Sequence, residues 1–199
     1  MKTDVIVVSS TGKQMETALQ QVEKVAAYKG LSHKDALHLR LLAEEMLGMM
    51  RSITGEKEGS FWIEDDKGVY SLHLKVNTSM NSEKREQLLS ASTSGTNAAA
   101  KGIMGRLRDF FDRGADDDVI AWSSPLLTMG EYDSSSVMDY EWSMMNYQEE
   151  LAQRVARKEA DAVEAWDELE KSVVAHAADN VIVSIRGRDV EMTLVKKLG

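Results

Sequence analysis

Cysteine is absent from the 199 residues, and proline occurs only once, at Pro125. Without thiols the chain can form neither disulfide bonds nor thiolate zinc sites, and it has no cysteine nucleophile. No apolar run approaches the roughly 20 residues that a membrane-spanning helix needs. The apolar stretch within residues 1–8 is too short for a signal peptide, and an acidic residue, Asp4, occurs too early in it. We therefore expect a cytoplasmic protein with no membrane partner.

Basic residues are also few. The chain has 24 Lys and Arg against 33 Asp and Glu, so its formal net charge is −9, and it contains no basic run. Binding to a phosphate backbone draws its affinity from clustered Lys and Arg, so we expect no nucleic acid partner. The 43% apolar and 29% charged residues are typical of an ordinary globular protein. The composition predicts one domain, or one domain with an appendage, and we interpret residues 1–199 as a single domain.

The two ends of the chain and its first half carry clear periodic patterns. A β-branched run at residues 3–8 predicts a strand, and Thr11 with Gln14 three residues later matches a capping box that would begin a helix. A second helix is predicted from an N-cap at Ser32 to about Gly55, with a buried apolar stripe. Alternating apolar residues on both sides of Asp65–Gly68 predict an antiparallel hairpin. Residues 181–185 and 190–195 predict a closing hairpin.

The middle of the chain is less regular. Residues 78–100 predict a polar loop with a short helix, residues 101–111 a glycine-bearing helix start, and residues 119–122 a short strand. We interpret residues 115–178 as an acidic loop followed by a long helical insertion. One helix over the ~40 positions of this pattern would be about 60 Å long, too long for a compact domain of this size. The segment must therefore break or protrude.

The order of these elements predicts the fold class. Antiparallel hairpins at the middle and the end, separated by helices, favour an α+β, two-layer sandwich. We expect a mixed, largely antiparallel sheet that helices cover on one face.

The second helix, the hairpin, the polar loop, the Gly-x-x-Gly at Gly102 and Gly105 and the final hairpin with Thr193 together form a familiar succession. It resembles the histidine-kinase-like (GHKL) ATPase superfamily, and within it the small bacterial ATP-binding proteins related to anti-sigma serine kinases. The resemblance spans residues 35–113 and 179–197. It implies ATP and magnesium as cofactors, a protein partner, and ATPase or protein serine kinase chemistry.

The family's first motif is a helical Glu followed four residues later by a magnesium-binding Asn. Either Glu44 or Glu45 could be that Glu. Glu44 lies nearly opposite the apolar stripe, whereas Glu45 lies at its margin, which favours Glu45 as the catalytic carboxylate. In this register Met49 replaces the Asn. A thioether is a poor ligand for magnesium, so we expect a weak or missing metal site and assign no metal ligand.

The other motifs suggest the remaining cofactor-binding residues. Asn77 occupies the position of the family's adenine-binding Asp, although the glycines of that motif are missing. Lys101, Gly102 and Gly105 resemble the second glycine box, whose backbone N–H groups face phosphates at a helix start. Thr193 matches the family's Thr near the adenine-binding acid.

Two functions follow from these degenerate motifs. The first is an ATP-binding regulatory protein with weakened nucleotide and magnesium sites. The alternative is a nucleotide-independent pseudo-ATPase that binds a protein through its helical insertion, with a homodimer through the long helix as one possibility. The four histidines are scattered, so zinc is not expected, and His38 and His73 are predicted to lie at the surface or at a rim.

Overall fold

The computed structural model describes residues 1–9, 12, 14–54, 58–77, 139–170, 172–186 and 189–199. Within them lie six strands: β1 (Ile6–Ser9), β2 (Glu58–Asp66), β3 (Val69–Asn77), β4 (Asp139–Ser143), β5 (Asn180–Arg186) and β6 (Asp189–Lys197). Five helices accompany them: α1 (Met15–Tyr28), α2 (His33–Thr54), α3 (Met144–Ala156), α4 (Ala160–Glu170) and α5 (Val173–Ala177). The strands and helices predicted at residues 78–122 lie outside the described residues.

The six strands form one sheet in the order β1-β2-β3-β6-β5-β4. Every described pair is antiparallel, so the part of the sheet that the structure describes is antiparallel and not mixed. Both predicted hairpins are confirmed, and β3 pairs with β6 over nine residue pairs from Val69↔Lys197 to Asn77↔Asp189. The C-terminal hairpin therefore continues the sheet of the middle hairpin, which fits the predicted α+β class and a two-layer sandwich.

Burial alternates along the strands as a sheet with one apolar face requires. On β3 the even-numbered residues from Tyr70 to Val76 are buried and the odd-numbered ones are half-buried or exposed. The apolar residues of this face form one core cluster with α1 and α2 and with buried residues of α3, α4 and α5. We call the other face, which carries His73 and Thr193, the polar face.

A two-residue turn joins β2 to β3. Lys67 and Gly68 have φ values of 51° and 87°, the combination that a type I′ turn needs. The buried Asp65 accepts a hydrogen bond from the Gly68 N–H at 3.1 Å and pairs with Lys29 at the end of α1 at 2.5 Å. The carboxylate therefore ties the turn to the first helix.

The predicted start of the first helix is wrong. The chain has positive φ at Gly12 (91°) and at Gln14 (63°), conformations that the first turn of a helix does not contain. Gln14 is the N-cap of α1, and its side chain makes no capping hydrogen bond. The second helix begins as predicted, since the Asp35 N–H donates to Ser32 Oγ at 3.1 Å and that hydroxyl donates to the Asp35 carboxylate at 2.7 Å.

The long helical pattern breaks and does not continue as one helix. Asp139–Ser143 forms the edge strand β4, where aromatic residues alternate with polar ones and Trp142 is paired with Val183. Helix α3 ends before Lys158, which has φ of 60°, and Arg154 forms ion pairs with Glu159 and Asp161 across the break. Helix α3 contacts β4 and β5, α4 contacts α3, and α5 contacts α2. The segment therefore folds back onto its own sheet and helices.

Candidate functional site

Helix α2 places the predicted catalytic carboxylate at the edge of the core. Glu44 is exposed and pairs with Arg40 at 3.0 Å, whereas Glu45 is half-buried, which confirms their predicted positions around the helix. No other described residue forms a hydrogen bond or ion pair with Glu45. Met49, which was predicted to replace a metal-binding Asn, is 7% exposed and belongs to the core.

The predicted adenine-binding residues lie on the polar face, away from α2. The Asn77 amide donates to Asp189 Oδ1 at 2.8 Å, opposite it in the β3–β6 register. Thr193 contacts His73 at 3.2 Å. Glu45 belongs to a helix packed on the other face, so the structure does not bring it together with Asn77 and Thr193. The other predicted residues, Lys101, Gly102 and Gly105, lie outside the described residues, and the predicted roles of all six residues stay predictions.

A groove of about 440 Å³ lies between α2 and the end of the 144–177 segment. We call it the α2–α5 groove. Its lining residues are His38 and Leu41 of α2, Glu170 of α4, Ser172, and Val173, His176 and Ala177 of α5. The α2 residues share one helix face with Glu45, because positions 38, 41 and 45 are three and four residues apart. Glu45 itself is not among the residues that line the groove.

The polar groups of the α2–α5 groove are fixed by local hydrogen bonds. Ser172 caps α5 by accepting from the Ala175 N–H at 3.3 Å, and the His176 ring donates through Nδ1 to the Ser172 carbonyl at 3.0 Å. The Trp166 indole donates to Glu170 at 2.9 Å. Leu41, Val173 and Ala177 add apolar side chains, so the α2–α5 groove is an open surface lined by both apolar and polar residues.

A second cluster lies on the polar face around His73. Its imidazole stacks on Trp62 with ring centroids 4.7 Å apart and planes within 1°. Nδ1 lies 2.9 Å from Glu191 Oε1, and Nε2 lies 4.0 Å from Glu64 Oε2. Hydrogen bonds from Lys2 and Trp62 hold the pKa of Glu64 below its usual range. This cluster was not predicted from the sequence, which placed His73 at the surface or at a rim, but the His73 side chain is only 14% exposed.

The cluster does not have the geometry of a catalytic triad. Glu191 and Thr193 both approach the same ring nitrogen, Nδ1 of His73. A triad needs the acid on one nitrogen and the hydroxyl on the other. Only the strand register places these residues together, because β3 and β6 are far apart in the chain. No short motif could have revealed the cluster.

Comparison of the chain with protein-family models, with curated proteins and with solved structures gave no match. Within the described ranges, no group of three or more His, Cys, Asp or Glu side chains is arranged to hold a metal ion. None of the helices in that part of the chain combines the length and the apolar character that crossing a bilayer requires.

Proposed function

We propose that this chain is a cytoplasmic protein-interaction module that acts without nucleotide, and that its partner binds in the α2–α5 groove. The observation that carries the proposal is which segments of the chain line the groove. Five of its seven lining residues come from the predicted insertion and two from α2. The predicted insertion therefore supplies most of the groove, and α2 supplies the rest.

The chemistry of the groove supports a protein partner. Val173 is 48% exposed in the groove, and Leu37, one turn before Leu41 on α2, is 51% exposed. Exposed aliphatic side chains next to polar ones are typical of surfaces that bind apolar side chains of another protein. We expect a partner segment with an apolar anchor for Val173 and a hydrogen-bond donor for Glu170.

The positions of the predicted nucleotide residues also favour this function over phosphoryl transfer. Met49 is buried in the core, and Asn77 and Thr193 are engaged with Asp189 and His73 on the polar face. Phosphoryl transfer depends on positioning and on charge stabilisation around the phosphates. A site built from these residues would have to draw on both faces of the sheet.

Photo-crosslinking in cells tests the proposal with a matched pair of positions. A photoreactive residue at Val173 is compared with the same residue at Val163, which is 43% exposed on α4 and does not line the groove. We expect a defined crosslinked protein from position 173 and none of that protein from position 163. Equal crosslinking from both positions, or none from 173, would contradict the proposal.

A second candidate is the ATP-binding regulatory protein that the resemblance implies. It is favoured by Glu45, a half-buried carboxylate without a partner among the described residues. Titration with labelled ATP, with and without magnesium, separates the two functions. The interaction module predicts no binding below millimolar ATP. Micromolar binding that needs magnesium and is lost in Glu45→Gln but kept in Glu44→Gln would support the second candidate and reject the first.

A further inference from the structure

The sheet ends at strand β1, which pairs on one side only within the described residues. It is the first strand in the sheet order, and its register with β2 runs from Ile6↔Phe61 to Ser9↔Glu58. In an antiparallel strand, every second residue directs its N–H and C=O groups away from the partner strand. The outer side of β1 therefore offers backbone donors and acceptors to a further strand.

The side chains along this side are apolar and exposed. Val5 and Val7 are 54% and 59% exposed, and Val7 lies opposite Ser60 in the register with β2. Residues 5–9 contain no charged side chain and no proline. Native proteins protect an edge strand from pairing with another chain by placing charged residues or proline on it. We call residues 5–9, which lack this protection, the β1 edge.

The neighbouring elements leave the β1 edge accessible. The side-chain amide of Gln21, on α1, donates to the Asp4 carbonyl at 2.9 Å, just before the edge begins, and Val5 and Val7 stay exposed. The opposite edge of the sheet, β4, differs because it carries the exposed Glu141 and continues directly into α3. Of these two edges, the β1 edge is the one suited to pairing.

Both ends of the β1 edge are acidic. Asp4 precedes it, and Glu58 lies opposite Ser9 at its other end. The two side chains are exposed, and neither forms an ion pair with a described residue. Lys2, close by in the chain, is already paired with Glu64 at 2.9 Å. The net charge of the whole chain is −9, so a second copy would meet repulsion, whereas a basic segment would meet complementary charge.

We propose that the β1 edge binds an extended, basic segment of another protein, which adds a strand to the sheet. The main chain of the segment bonds to the outward backbone groups of β1. Aliphatic side chains at alternate positions pack beside Val5 and Val7, and a Lys or Arg near each end pairs with Asp4 and Glu58. The β1 edge shares no residue with the α2–α5 groove, so this interaction is separate from the proposed function.

Fluorescence anisotropy with three labelled synthetic peptides tests the proposal. The probe is KVTVTVK. One control, EVTVTVE, reverses the charge at both ends, and the other, KVTPTVK, places a proline in the centre, where it removes a backbone donor and disfavours a strand. We expect the wild-type protein to bind the probe saturably and to bind each control at least about tenfold more weakly, because two ion pairs or the strand pairing are lost.

Variants of the protein separate charge from strand pairing. Asp4→Lys combined with Glu58→Lys should reverse the preference, so that EVTVTVE binds about tenfold more tightly than KVTVTVK. Val7→Lys should weaken binding of the probe about tenfold, since it places a charge on the edge. Val163→Lys is the matched control, because Val163 is 43% exposed on α4, and it should leave binding unchanged.

Hydrogen exchange of the wild-type protein locates the bound peptide without any variant. The probe should slow exchange of backbone N–H groups within residues 5–8, because these groups gain acceptors on the added strand. Equal binding of the three peptides, no saturation up to about 1 mM probe, or slowed exchange that spares residues 5–8 would overturn the proposal. A dimer with slowed exchange at residues 5–8 and no peptide binding would assign the edge to a second copy and would overturn it as well.

Discussion

At the scale of single residues, the buried carboxylate of Asp65 is the most consequential polar group in the core. Asp65 is 7% exposed, and among the described residues no other charged side chain is buried. It pairs with Lys29 at 2.5 Å and accepts from the Gly68 N–H at 3.1 Å. The hydrogen bond from Lys29 is the main reason that the pKa of Asp65 lies below its ordinary value. Its charge is therefore matched inside the fold.

Replacing Asp65 by Asn should lower the free energy of unfolding at neutral pH by about 1–3 kcal/mol, because Lys29 and the turn lose a charged acceptor. The pKa of Asp65 is depressed in the folded state, so this contribution is present above about pH 4, the unfolded value. It is lost as the pH falls through the folded-state pKa. Urea unfolding of wild type and Asp65→Asn at about pH 7 and about pH 3 measures both effects.

The neighbouring residue provides the control for this prediction. Asp66 is exposed at the end of β2, so Asp66→Asn should change the free energy of unfolding little at either pH. Equal losses of stability in the two variants, or a loss in Asp65→Asn that does not shrink in acid, would show that the buried pair does not act as described.

At the scale of elements, the break between α3 and α4 lets the insertion fold back onto the rest of the chain. Lys158 adopts φ of 60° just after the C-cap Arg157, a position where glycine is favoured because it has no Cβ. Lys158→Gly should raise the free energy of unfolding by about 0.5–1 kcal/mol. Thermal or urea unfolding checks the sign.

A glycine substitution inside helix α3 should change the free energy of unfolding in the opposite direction. Ala152 is exposed within α3, and Ala152→Gly should lower the free energy of unfolding by about 1 kcal/mol, because alanine has the highest helix propensity and glycine one of the lowest. If the helix ran unbroken through residue 158, Lys158→Gly would also lower the free energy of unfolding. The sign at this one position therefore separates a broken helix from a continuous one.

Elements with local signals were the ones that the sequence could predict. The Ser32 N-cap, the Asp65–Gly68 turn and the closing hairpin each depend on residues close together in the chain. Strand β4 lies within residues 115–178, which were predicted as an acidic loop and a long helical insertion, and only pairing with β5 selects the strand. Tertiary pairing thus overrode the local pattern.

The candidate site was less accessible to prediction than the fold. The margin position of Glu45 follows from helical periodicity and is confirmed by its partial burial. The placement of Asn77 and Thr193 on the polar face depends on the sheet register, and the groove depends on how α5 meets α2. Contacts of this kind join segments that are distant in the chain, so no local sequence pattern predicts them.

At the scale of the whole molecule, the central claim is that the insertion packs in cis against α2 and so forms the groove. A protruding helix would not hold Val173 against α2, and a homodimer through the helix would bring in α2 of a second chain. The absence of native cysteine allows spin labels to be placed at two chosen positions only. Leu37 and Val173 are exposed positions on the two sides of the contact.

The most direct test is a pulsed electron-resonance distance between labels at Leu37→Cys and Val173→Cys. Packed helices lie about 8–10 Å apart axis to axis, so we expect one narrow distance below about 25 Å. Dilution with unlabelled protein should leave it unchanged. A distance clearly longer than about 25 Å, or a short distance that disappears on dilution, would contradict the account.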